Sequence, residues 1–168
     1  IKVPTITVRE GLKKYAKKSG NKYFVMRHGG TEGNKRELVS FKHESSDHLT
    51  DIGKKEVEDS ARSLRGKKID LIFSSPFART METARIVAGT LGITESAIIS
   101  DGRIKEINPG NFDGKDWNEY HKAMYASGPN WFESTMPSGE SLKDVQKRIG
   151  SFLYEIESKY KGKNIHEI

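Results

Sequence analysis

The chain has 168 residues, 34 % of them hydrophobic and 31 % charged, which suits one globular domain with a core of its own. No stretch approaches the roughly 20 apolar residues of a membrane helix, the start IKVPTITVREGLKKYAKK lacks the apolar region of a signal peptide, and the absence of cysteine excludes disulfides and cysteine-based zinc sites. A surplus of 29 basic over 23 acidic residues, net +6, favours anionic partners without choosing among phosphate esters, nucleic acid and membrane surfaces.

Lys13, Lys14, Lys17, Lys18 and Lys22 crowd the N-terminal segment, which reads as a solvated helix face or as a basic linker able to meet RNA. Residues 22–26, KYFVM, then predict a buried strand ending on Arg27-His28-Gly29. Thr50 predicts the cap of a helix presenting Val57, Ala61 and Leu64. A second buried strand is expected over residues 69–73, IDLIF. Pro76 then opens a helix carrying Met81, Ala84, Ala88 and Leu91, stopped by Gly92.

A third strand is expected at residues 97–100. Trp117, Tyr120, His121 and Met124 recur at helical spacing, as core or lid packing would require. The clearest helix follows Ser141, which pairs with Asp144 as a cap; Leu142, Val145, Ile149, Phe152, Leu153, Ile156 and Tyr160 form its apolar stripe. Residues 34–48 and 126–140 read as loops. Alternating strands and helices predict a mainly parallel sheet covered on both faces, with ligands bound beyond the carboxyl ends of its strands.

Two such ends carry unusual residues. His28 suits a nucleophile, because a neutral imidazole can form a covalent intermediate. Arg27 and Arg79 are forked cations suited to phosphate oxygens, and their charge would depress the His28 pKa. Gly29 and Gly30 would let backbone N–H groups approach an anion. Each feature alone has a plain structural explanation. His43, Glu44, Asp47 and His48 form a further polar cluster; without helical spacing they read as solvated loop groups or the rim of a substrate mouth, not as a metal site.

Taken together the features are more specific. RHGGTEGN fits R-H-G-x-T-x-x-N, LTDIGKKEV contains L-T-x-x-G, SSPFARTMETA fits S-S-x-x-x-R-T-x-x-T-A, and PSGES fits P-x-G-E-S. In this order and spacing, from residue 22 onward, they resemble the histidine phosphatase superfamily, which includes the cofactor-dependent phosphoglycerate mutases. The resemblance implies a three-layer α/β/α sandwich of the phosphoglycerate mutase type. It also implies phosphorylation of His28, a clamp of Arg27 and Arg79 assisted by Asn34, a loop shaped by Thr31, and Glu106 as proton donor. No metal or organic cofactor is called for.

Such enzymes place a second histidine after a late apolar strand. Here KYKGKNIHEI offers His166, but the strand expected before it is short by about four apolar residues. His166 is then either the second phosphate-binding histidine or a tail residue. The expected organisation is a leader or linker over residues 1–21 and a phosphatase-like domain over 22–168 whose last strand is incomplete.

The expected function is hydrolysis of small phosphomonoesters through phosphohistidine in a cytoplasmic setting, with no membrane partner. Two alternatives stand beside it. One is a mutase, which usually carries a longer insertion than the roughly thirty residues separating Glu106 from PSGES. The other is a non-catalytic accessory domain of a larger protein such as an aminoacyl-tRNA synthetase, in which nucleic acid would be met only through the basic N-terminal segment.

Overall fold

The computed structural model describes residues 19–41, 47–126 and 128–168. In chain order its elements are β1 Lys22–Val25, α1 Glu32–Lys35, α2 Asp51–Arg62, β2 Leu71–Ser74, α3 Ala78–Leu91, β3 Ile98–Ser100, α4 Trp117–Tyr125, α5 Leu142–Lys159 and β4 Asn164–Glu167. Short 3-10 turns join several of them. The strands form one all-parallel sheet in the order β1-β4-β2-β3.

Helix ends follow local chemistry. Thr50 accepts from the Gly53 N–H at the start of α2. Ser141 and Asp144 form a reciprocal capping box at α5. Gly92 ends α3 in the left-handed conformation at φ 70°. Helix α3 begins after Phe77, two residues beyond Pro76, because the Ser75 and Thr80 hydroxyls tie the preceding turn together.

Alternation along the strands divides the core. Ile72 packs with Val57 and Ala61 of α2 and with Ala84, Val87 and Ala88 of α3 on one face. On the other face Phe73 and Ile165 meet Phe152 and Ile156 of α5, with the Phe73 and Phe152 rings edge to face at 5.2 Å. The sheet therefore lies between two helical layers, as expected of a three-layer sandwich. Among the described residues no helix is long and apolar enough to cross a membrane.

Two expectations need correction. Strand β1 is an edge strand among the described residues, and its Val25 is 79 % exposed. Residues 19–21, assigned to the leader, are built into the domain: Asn21 donates to Glu157 and the Tyr160 carbonyl, and Ser19 accepts from Gly162. The remaining leader, residues 1–18 with its lysines, lies outside the described residues.

The last strand is short. Asn164-Ile165-His166-Glu167 itself forms β4, hydrogen-bonded between β1 and β2. A central parallel strand normally reads as continuous apolar sequence. Here His166, 1 % exposed, faces the α2–α3 layer in register with Ile72, and Glu167 faces α5 in register with Phe73. Among the described residues neither His166 ring nitrogen has a partner within hydrogen-bond geometry, although the ring lies near the Phe24 backbone.

Burial pushes the Glu167 carboxyl up to about 7. The unfolded chain releases that proton at lower pH, so stability falls as pH rises through the range between 4.5 and about 7. Glu167→Gln removes this loss. Thermal melts should show the variant gaining on the wild type at pH 8, on the order of 2 kcal/mol, and clearly less at pH 5; equal gains at both would contradict the burial argument.

Candidate active site

Strand β1 delivers its last sheet bond through the Met26 N–H, donated to the Glu167 carbonyl, and the chain then leaves the sheet at Arg27 and His28. His28 Nδ1 stands 2.8 Å from the Gly29 carbonyl. A carbonyl only accepts, so Nδ1 carries the hydrogen and Nε2 the lone pair. Arg79 Nε donates to that Nε2 across 3.2 Å. Burial, with the charges of Arg79 and Arg27, holds the His28 pKa below its ordinary value, against an upward pull from the Gly29 carbonyl and from Asp47. The imidazole is thus neutral and its free electron pair faces a cation.

Arg79 lies in the first turn of α3 and is 4 % exposed. Its guanidinium stacks over the Phe77 ring at 4.4 Å. Nη2 donates to the Ser40 carbonyl at 3.3 Å, and Nη1 stands 3.6 Å from Asp47 Oδ2, longer than a hydrogen bond. Arg27 is exposed beside the imidazole.

Asp47, grouped in the sequence with solvated loop residues or the rim of a substrate mouth, is buried against the site. It is 8 % exposed, accepts from the Gly33 N–H at 3.1 Å and faces the buried guanidinium. Within a polar loop its composition matches solvent-facing neighbours; its place two residues before Leu49-Thr50 is the one available signal. His48 pairs with Glu82 instead. His43 and Glu44 lie outside the described residues, and no group of three metal-ligating side chains occurs among those described.

The glycines work differently from the expectation. The Gly29 N–H is already donated to the Thr83 hydroxyl, so it is not offered to an anion. A Cβ at Gly29 would meet the Gly53 carbonyl at 2.5 Å, and one at Gly53 would meet the Gly30 carbonyl at 2.1 Å. Thr50 donates to the Gly30 carbonyl through both its N–H and its hydroxyl. The L-T-x-x-G element thus seats the histidine loop directly on the start of α2. Thr31, 1 % exposed, caps α1 with Asn34 in a reciprocal box, which makes it a loop-shaping residue.

Glu106 follows β3 on a loop held by PSGES. Arg148 donates to the Arg103 and Glu106 carbonyls and to the Glu140 carboxylate, which also accepts from the Asn108 N–H. The Glu106 carboxylate is exposed, accepts from the Ile107 N–H, and forms no hydrogen bond to His28 or Arg79 among the described residues. Lys105, in an extended conformation, instead turns its ammonium onto Phe41 and Phe77.

His166 is not brought to this cluster. Its register partner in β1 is Phe24, four positions before His28, and its burial within the sheet explains why. A phosphate-binding role for it does not follow from this placement.

Gly53→Ala should lower the melting temperature by the equivalent of about 1–3 kcal/mol, since backbone on both sides cannot yield. Gly89→Ala, in α3 with nothing within 4 Å of the added Cβ, should raise it by about 1 kcal/mol. Thermal melts of both variants check the contrast, and a neutral Gly53→Ala would contradict the close approach.

Comparisons with known proteins place the chain by family and by fold. The profile of the histidine phosphatase superfamily (branch 1) matches residues 23–166. A relative from Hydrogenobacter thermophilus, named "Putative phosphoserine phosphatase 2", is 30 % identical over 82 % of this chain and 67 % of the relative. The "Probable phosphoglycerate mutase GpmB" of Yersinia pestis is 27 % identical over 77 % of this chain and 60 % of the relative. Bacillus stearothermophilus YhfR superposes with a TM-score of 0.73 at 24 % identity, covering 88 % of this chain and 72 % of that one. The mycobacterial glucosyl-3-phosphoglycerate phosphatase gives 0.67 at 21 %, covering 86 % and 71 %. The fold is of the phosphoglycerate mutase-like type, and the chain belongs to the histidine phosphatase superfamily.

Proposed function

We propose that the chain hydrolyses phosphomonoesters through a phosphohistidine on His28. The observation carrying this reading is the 3.2 Å approach of Arg79 Nε to a His28 Nε2 whose partner nitrogen is tied to the Gly29 carbonyl. This contact supports the reading of His28 as nucleophile and Arg79 as anion receptor, with the electron pair on the side they share.

The entering phosphoryl group takes the place of the lone pair as the guanidinium's partner. Nε2 attacks phosphorus, the bond to the ester oxygen breaks, and Glu106 in its acid form gives its proton to the departing alcohol. Arg79 and Arg27 hold the equatorial oxygens, with the Asn34 side chain beside the loop. Water then attacks the phosphohistidine and gives a proton to the Glu106 carboxylate; the phosphorus–nitrogen bond breaks and its electron pair returns to Nε2. The steps as written call on no metal. The exposed Glu106 suits this role, because a proton donor must meet the leaving group on the far side of phosphorus, not the histidine itself.

The relatives' names include phosphatases and a mutase. Hydrolysis is preferred because only about thirty residues separate Glu106 from PSGES, a short cover for retaining a bound intermediate away from water. A small phosphorylated substrate in a reducing, cytoplasmic setting fits the cysteine-free chain.

Phosphate release from an aryl phosphate should be abolished by His28→Ala and reduced at least about a hundredfold by Arg79→Ala. Conversion of 3-phosphoglycerate to 2-phosphoglycerate without phosphate release would transfer the assignment to a mutase. Neither activity from a folded chain would leave the accessory-domain reading.

The acid limb of kcat/KM for phosphate release should lie below pH 6.5, because His28 stays neutral beneath its ordinary pKa. Asp47→Asn removes an anion that favours the imidazolium, so the limb should move to lower pH; a shift upward would contradict the placement of Asp47.

A further inference from the structure

The amino ends of the parallel strands form the pole opposite the candidate active site, and three stretches of chain meet there. The Lys22 N–H is donated to the Lys163 carbonyl and the Gly162 N–H to the Ser19 carbonyl. The Asn164 side-chain amide is donated to the Lys67 carbonyl at 2.6 Å and to the Lys68 carbonyl at 3.3 Å. Residues 19–22, 65–70 and 161–164 are thereby joined into one surface held by the sheet.

That surface is basic, and part of its charge has a plain structural use. Arg62 and Lys159 close α2 and α5, where a cation meets the negative end of a helix. Lys161 donates to the Glu157 carbonyl, and Lys163 pairs with Asp70. Lys22, Arg65, Lys67 and Lys68 are left. All four are exposed, and among the described residues no carboxylate pairs with any of them. Lys68 even holds left-handed backbone at φ 51°, which glycine or asparagine adopts more readily, so the turn itself does not ask for a lysine. Like charges crowded without carboxylates repel one another, and an anionic partner relieves that repulsion. The sequence before Ser19 adds Lys13, Lys14, Lys17 and Lys18.

The absence of large apolar side chains narrows the partner. None of the exposed ones falls in residues 19–22, 62–70 or 159–164. The surface therefore lacks the anchors that enter a bilayer interface and the rings on which unpaired bases stack. Its spaced cations suit phosphodiester oxygens. We propose that this pole binds the phosphate backbone of a nucleic-acid duplex without reading its bases, leaving the site of His28 and Arg79 open at the other pole.

Fluorescence anisotropy of the unaltered chain tests this, with a labelled RNA duplex and a DNA duplex of the same sequence, from about 50 to 200 mM salt. Binding that weakens steeply with salt and is indifferent to sequence is expected, and the tighter duplex tells RNA from DNA. Lys22→Gln, Arg65→Gln, Lys67→Gln and Lys68→Gln together should weaken binding by about tenfold or more at the lowest salt and reduce the slope on the DNA duplex by about 3–4, one phosphate contact for each cation. Lys22→Arg, Lys67→Arg and Lys68→Arg together should keep both values, with thermal melts checking that each variant is folded. A second variant, Lys13→Gln, Lys14→Gln, Lys17→Gln and Lys18→Gln, separates the leader from the pole. Binding lost in that variant but unchanged by the four substitutions at the pole would overturn the proposal. So would binding to vesicles of phosphatidylserine and phosphatidylcholine but to neither duplex, or no binding to any of the three.

Discussion

The burial of one guanidinium organises the site. A cation that is 4 % exposed has lost most of its water, and such burial is tolerated only where partners surround it. Arg79 finds the His28 lone pair, the Ser40 carbonyl, the Asp47 carboxylate and the Phe77 ring. Each partner comes from a different stretch of chain, so satisfying this one group fixes the relative positions of the β1 exit, the loop before α2 and the start of α3. The same contact decides the state of His28, which stays neutral with its electron pair on the side where the cation lies.

Two supports keep that arrangement rigid. One is backbone on backbone: Gly29 lies so close to the Gly53 carbonyl, and Gly53 to the Gly30 carbonyl, that neither Gly29 nor Gly53 can carry a side chain, which presses the histidine loop onto α2. The other is the Arg148–Glu140 pair, which holds the carbonyls of Arg103 and Glu106 from the opposite side. His28 and Glu106, the proposed nucleophile and proton donor, thereby sit on separate, supported loops. Such placement on supported loops at strand ends is what catalysis through positioning and charge requires.

Much of this was legible in the residues. KYFVM, IDLIF and the stripe from Leu142 to Tyr160 carry periods that only strands and a buried helix face can use, and both caps at Thr50 and Ser141 formed as their side chains dictate. The motif residues His28 and Arg79 lie in hydrogen-bond contact. Strand β4 was not legible over Asn164–Glu167, because the places of buried His166 and half-buried Glu167 are set by the neighbouring strands and not by their own polarity. Asp47 was hidden for the related reason that burial of a carboxylate depends on a cation from a distant helix. The glycines were recognised, but their purpose, close packing on α2, depends on a contact between Gly30 and Gly53 that local sequence does not announce.

The most direct test of the account is to trap the phosphorylated chain. Rapid alkaline quenching during turnover of an aryl phosphate, followed by peptide mapping and assignment of the modified nitrogen, would locate the phosphoryl group. The account predicts an acid-labile adduct on His28 at Nε2, the nitrogen that faces Arg79. Phosphate release with the adduct on another residue, or on Nδ1 of His28, would contradict it.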